Sequence, residues 1–198
     1  MKVFFVLIIS TLCLSGCLHR GKYRIQGTYD KVALGIADTK IGVLDPRGYV
    51  NTDEAFKTQL RELGRLTKCP TTLVLSEADL QWTSIPPPPY GDRLTEDNLT
   101  YMATHTDLDY VIFTEFGPGR SEAVPGLGFP AASVREAFAY LVLYDVETGE
   151  EVKTITVNGS LNADADSAWW ELWYEEDQMS VRALRKGLRH LVEYTSCK

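Results

Sequence analysis

Apolar positions along this chain recur in two patterns, strand-length runs and helical stripes. Lys31–Ile36, Ile41–Leu44, Thr71–Leu75, Tyr110–Phe116, Ala137–Tyr144 and Val152–Val157 read as strands. Phe56, Leu60 and Leu63 stand at i, i+4 and i+7, which predicts a helix with that apolar face. Asn51 and Glu54 open it as a capping box, and Gly64 and Thr67 offer its stop. Thr95 caps a second helix with Leu99, Met102 and Ala103 on its inner face, ending near His105. Ser180 caps a third from Val181 to Tyr194, with Leu184, Leu188, Leu191 and Val192 facing the core. Its opposite side carries Arg182, Arg185, Lys186 and Arg189, and His190 should face solvent.

Breaks separate these elements. Asp45-Pro46-Arg47-Gly48 is a turn signal, and Asp145–Glu150 reads as a hairpin connection with Gly149 free to take positive φ. Pro86, Pro87, Pro88 and Pro89, followed by Tyr90, read as an extended polyproline segment on the surface. Gly117–Pro130 is rich in glycine and proline and reads as a long irregular loop. The order β–β–α–β–α–β–β–β–α predicts a single α/β (α+β) domain, with helices packed on a mixed parallel and antiparallel sheet.

The first residues fit none of this. Val3–Leu14 is apolar apart from Ser10 and Thr11 and follows Lys2. A bilayer-spanning helix needs roughly 20 apolar residues, so this run has the length of a signal-peptide core instead. Leu14-Ser15-Gly16-Cys17 then resembles a bacterial lipobox, with small residues for the peptidase cleft and Cys17 to carry the lipid. The expected organisation is a signal peptide over residues 1–16, an acylated tether over 17–30 that can include a first edge strand, and one domain over 31–198. Leu18 after the cysteine, where no aspartate stands, resembles the pattern for sorting to the periplasmic face of the outer membrane.

Composition narrows the function. The chain has 198 residues, 44% of them hydrophobic, and a net charge of -7. That balance is globular and supplies no basic excess for nucleic acid. Two of the four cysteines, Cys13 and Cys17, belong to the signal and the anchor. Cys69 and Cys197 remain, either bridged or as two separate small hydrophobes, and the nearness of Cys197 to the chain end favours the bridge. No dinucleotide fingerprint, P-loop, nucleophile elbow or zinc spacing of His19, His105 and His190 is found, so no catalytic residue, metal or cofactor is expected. His105 reads as a partner for a helix C-terminus. The stretch Ala163–Met179 holds Trp169, Trp170, Trp173 and Tyr174 among six acids. Its tryptophans suit either an interface or a local minicore over the sheet.

The succession Ile41–Pro46, Leu73–Leu80, Leu108–Phe113, Tyr140–Val152 and the last helix resembles bacterial envelope lipoproteins with a TolB N-terminal-like domain. The curli-secretion lipoprotein and the lipoprotein activators of penicillin-binding proteins belong to that group. The resemblance implies binding or regulation of another envelope protein and no chemistry. Pro86–Pro89, Tyr90, Trp169, Trp170, Trp173 and Tyr174 are then the candidate surface. Two other readings stay open, an accessory subunit of a secretion or surface-assembly complex and an enzyme acting on cell-wall glycan.

Overall fold

A computed structural model describes residues 22–27, 33–48, 52–65, 69–77, 79–80, 93–119, 122–123, 133–163 and 176–197. In chain order they form β1 (Lys22–Gly27), β2 (Leu34–Gly35), β3 (Lys40–Val43), β4 (Arg47–Gly48), α1 (Thr52–Leu63), β5 (Leu73–Ser76), α2 (Glu96–His105), β6 (Tyr110–Pro118), β7 (Glu122–Ala123), β8 (Ser133–Asp145), β9 (Glu151–Ala163), α3 (Glu176–Glu193) and β10 (Thr195–Ser196). The fold is mixed α+β. The main sheet runs β1-β9-β8-β6-β3-β5, with β4 beside β6 and β7 beside β8. β3 is parallel to β5 and β6, whereas β6–β8, β8–β9 and β9–β1 are antiparallel.

The topology explains the helix placement. From β3 the chain moves outward to β5 through α1, then returns past β3 to β6 through α2. Crossovers between parallel strands are right-handed in nearly all cases, so reversing the direction of travel puts the two helices on opposite faces. Strand alternation then feeds two cores. Ile41, Ile112, Phe116, Leu141, Leu143, Ile155 and Val157 pack with Leu63 of α1 and with Leu184, Leu188 and Leu191 of α3. Leu44, Val111, Phe113, Val142 and Tyr144 pack with Leu99 and Met102 of α2. In α2 the Thr95 hydroxyl accepts from the Asn98 backbone N–H while the Asn98 side chain accepts from that of Thr95, a capping box as the cap at 95 implied.

Several expectations are corrected. Leu60 of α1 is 42% exposed and Phe56 only half-buried, while Ala55, Thr58, Gln59, Glu62 and Leu63 turn inward. The helix is rolled because two polar side chains find partners inside. Gln59 Nε2 donates to the Leu44 carbonyl at 2.7 Å and Gln59 Oε1 accepts from Thr114 Oγ1 at 3.1 Å, and Glu62 meets arginines. Residues 45–48 do not reverse the chain, because Arg47 and Gly48 pair in parallel with Glu115 and Phe116. Gly48 permits this, since a Cβ there would overlap the Phe116 ring. β6 extends to Pro118, and Glu122–Ala123 pairs with β8, so the 117–130 stretch is not wholly irregular. α3 begins at Glu176, and Ser180 lies buried inside it rather than at its cap, because Met179 already packs into the core. Ala103 is exposed, and the buried partners of Leu99 and Met102 on α2 are Asn98 and Tyr101. His190 is turned inward, with its side chain 16% exposed and its ring edge-on to Tyr194 at 4.8 Å.

α3 lies close to the sheet at Gly187, where a Cβ would collide with Leu141 and come within 3.3 Å of Val157 Cγ2. Glycine inside a helix costs about 1 kcal/mol against alanine, and overpacking a core costs about 1–3 kcal/mol, so here packing outweighs propensity. Gly187→Ala is therefore expected to lower the urea midpoint despite its better helix propensity, and Gly187→Val to lower it further.

Candidate functional site

Three features of the described surface bear on function, beginning with the corner where the chain ends. Cys69 and Cys197 form a disulfide across a sequence separation of 128, with Cα atoms 5.2 Å apart. β10 lies parallel to β2, and the Leu34 and Ile36 N–H groups donate to the Tyr194 and Ser196 carbonyls at 2.9 Å. Thr72 Oγ1 and Thr39 Oγ1 both donate to the Ile36 carbonyl. The bridge closes a loop spanning most of the domain, for which chain entropy predicts roughly 5 kcal/mol of stabilisation. Lys153 is buried beside this corner with Nζ 4.2 Å from the Tyr194 ring centroid, and burial lowers its pKa.

The second feature joins the helices of one face. The Glu62 side chain on α1 is 3% exposed. Arg189 of α3 grips it with two donors, Nε to Oε2 at 3.0 Å and Nη2 to Oε1 at 3.1 Å. Arg65 stands at 3.4 Å and Arg185 at 3.9 Å. Burial pushes the Glu62 carboxyl up, but the Arg189 hydrogen bonds and the charges of Arg189, Arg65 and Arg185 outweigh it and hold the pKa below the usual value. Around this knot the α1–α3 layer exposes Lys57, Arg61, Arg65, Arg182, Lys186 and Arg189. Lys186 Nζ lies 5.2 Å from the Tyr23 ring centroid. Burial raises the Tyr23 phenol pKa and the Arg182 charge opposes the rise.

The third feature is the other face. α2 and the β8–β9 turn flank a cleft of about 530 Å³ with Leu99, Tyr144 and Val146 on its floor and Glu96, Glu147 and Glu151 on its rim. Burial, reinforced by the Glu151 charge, pushes the Tyr144 phenol up to about 12. His105 Nδ1 lies 2.9 Å from the Tyr101 carbonyl at the C-terminus of α2, with its ring stacked on Tyr101 at 4.2 Å. Beyond α2 the same sheet face carries Phe138, Tyr140, Thr154, Thr156 and Asn158, with Arg24 and Gln26 exposed on β1. Among the described residues no helix covers that half.

Most residues singled out in the sequence lie outside the described residues: Leu14, Ser15, Gly16 and Cys17, Pro86 to Pro89 and Tyr90, and Trp169, Trp170, Trp173 and Tyr174. Their described flanks are informative. Arg93, which follows the proline segment, has its guanidinium 5.3 Å from the Tyr140 ring centroid on the uncovered half. Ser133 pairs with Ala163, so the last described residue before the tryptophan segment lies beside the first one after the Gly-rich segment. The sequence reading missed the Glu62 knot, since a lone glutamate inside a helix gives no signal until its arginines are in place. Among the described residues no group of three or more His, Cys, Asp or Glu is placed to hold a metal ion, and no helix is long and apolar enough to cross a membrane.

No family model matches the chain and no curated protein matches it in sequence. It is similar in structure to the PelC dodecamer subunit from Paraburkholderia phytofirmans, at 15% identity and a TM-score of 0.43 over 88% of this chain and 99% of that one. It is also similar to protein CT253 from Chlamydia trachomatis, at 11% identity and 0.44 over 84% and 100%. The lipoprotein GNA1162 from Neisseria meningitidis scores 0.33 at 10% identity over 68% and 91%.

Glu62 has its pKa depressed in the folded state, so its stabilisation is present above the unfolded value of about 4.3 and is lost as pH falls through the lower folded value. Glu62→Gln is expected to cost about 2 kcal/mol at neutral pH in urea unfolding, with the gap to the native chain closing in acid.

Proposed function

We propose that this chain is a lipid-anchored envelope protein, acylated at Cys17, whose domain binds another protein of the cell envelope. The observation that carries the compartment is the Cys69–Cys197 disulfide. Such bonds persist in oxidising compartments and are rare in a reducing cytosol. It is independent of the lipobox Leu14-Ser15-Gly16-Cys17 and agrees with it. The motif order, which resembles that of TolB N-terminal-like lipoproteins, supports the same reading, and Leu18 supports the periplasmic face of the outer membrane.

Binding is the function this geometry suits best. The half of the sheet that no described helix covers offers aromatic rings, hydroxyls and an amide. The proline segment and the tryptophan segment both join the described chain on or at the end of that half, at Arg93 and at Ala163. Aromatic side chains of this kind dominate protein interfaces. Anchoring confines the domain to a layer near the membrane and raises its effective concentration toward membrane-bound partners.

Cys17→Ser is expected to abolish metabolic acyl labelling, and retained labelling would refute the anchor assignment. A photoreactive group at Trp173 is expected to capture an envelope protein in cells. Capture of none, with the protein correctly localised, removes the binding reading.

A further inference from the structure

Seven cations of this acidic protein, Lys57, Arg61, Arg65, Arg182, Arg185, Lys186 and Arg189, lie on one helical layer. Arg182, Lys186 and Arg189 are exposed at i, i+4 and i+7, so they form one row along α3. Lys57, Arg61 and Arg65 form a second row on and just beyond α1, which packs against α3. Among the described side chains of these helices, the acids are Asp53, Glu54, Glu62 and Glu193, with Glu54 near Arg61 and Glu62 near Arg65, Arg185 and Arg189. The exposed acids Glu96, Asp97, Glu147, Glu150 and Glu151 lie on α2 and around the β8–β9 turn, across the sheet.

The basic row also has a defined relation to the anchor. Lys186 stands over Tyr23, the second residue of β1. Only residues 18–21 separate Cys17 from Lys22, so even a fully extended chain spans at most about 18 Å between them. Arg20 and Lys22 add two cations in that short interval. With Cys17 acylated, such a tether keeps the lipid surface permanently within reach. The row lies on a helix exterior, where long flexible cations suit a field of headgroups.

We propose that the α1–α3 layer is the membrane-facing side of the domain, and that Arg182, Lys186 and Arg189 dock it on anionic phospholipid headgroups of the leaflet that holds the Cys17 lipid. This rests on acylation of Cys17. The docking turns the α2 cleft and the uncovered half of the sheet away from the bilayer, which leaves them open to envelope partners.

The test uses the acylated chain added to preformed vesicles of phosphatidylcholine alone or with about 30% phosphatidylglycerol. Flotation reads the anchor, and labelling by a membrane-impermeant amine reagent, followed by mass spectrometry, reads the orientation. The chain should float with both vesicles. Lys186 and Lys57 should label at least about threefold more slowly on the anionic vesicles, and Lys40, outside the basic layer, equally on both. About 0.5 M salt should restore the labelling, because it shortens the screening length to a few ångströms. In the folded double variant Arg182→Glu, Lys186→Glu, Lys57 should lose its protection on the anionic vesicles. A chain that floats but labels identically on both vesicles overturns the docking and leaves the anchor standing, with the basic row then assigned to an acidic protein. A chain that floats with neither overturns the anchor and the docking together.

Discussion

The structure depends on burying both faces of the β6–β8 strand pair. β6 is held by hydrogen bonds on both edges, to β3 and β4 on one side and β8 on the other. Its side chains point alternately into two cores, with Ile112 and Phe116 on one face and Val111 and Phe113 on the other. A sheet buried on both faces excludes water from its central ladder, so its backbone groups must pair within the protein. The helices on either side are therefore required by the strands, and neither core forms without the shared sheet.

The two cores differ in how they admit polar groups. Against α2 the contacts are apolar, and the exposed surroundings are acidic. Against α1 and α3, a glutamine and a glutamate are drawn into the packing because each finds well-placed partners: Gln59 bridges a carbonyl and Thr114, and Glu62 collects arginines. A buried carboxylate is stable only with such partners. Gathering arginines around Glu62 places basic charge on one side of a protein whose net charge is -7, while Glu96, Glu147 and Glu151 rim the cleft on the other. The same constraint that rolls α1 thus gathers arginines on that side of the sheet.

Reading the chain as a sequence found the strands at 41–44, 71–75, 110–116, 137–144 and 152–157 within a few residues, since each is an apolar run bounded by turn chemistry. The hairpin turn was legible because Gly149 takes a φ of +73° that other residues rarely adopt. Strand ends were less legible. β8 and β9 run thirteen residues each, well past their apolar centres, because two long strands hydrogen-bond to one another whatever their side chains. The face of α1 was misread because periodicity counts only apolar residues, and here Thr58, Gln59 and Glu62 occupy buried positions.

What the sequence determined by itself is local. The apolar runs, the cap at Thr95 and the turn at Gly149 are fixed by residues that are neighbours along the chain. Pairing of Cys69 with Cys197, the grip of Arg185 and Arg189 on Glu62 and the close seat of α3 at Gly187 required the tertiary structure. Each is a contact between residues far apart in sequence, and its energy depends on distance and burial, which only the folded chain sets.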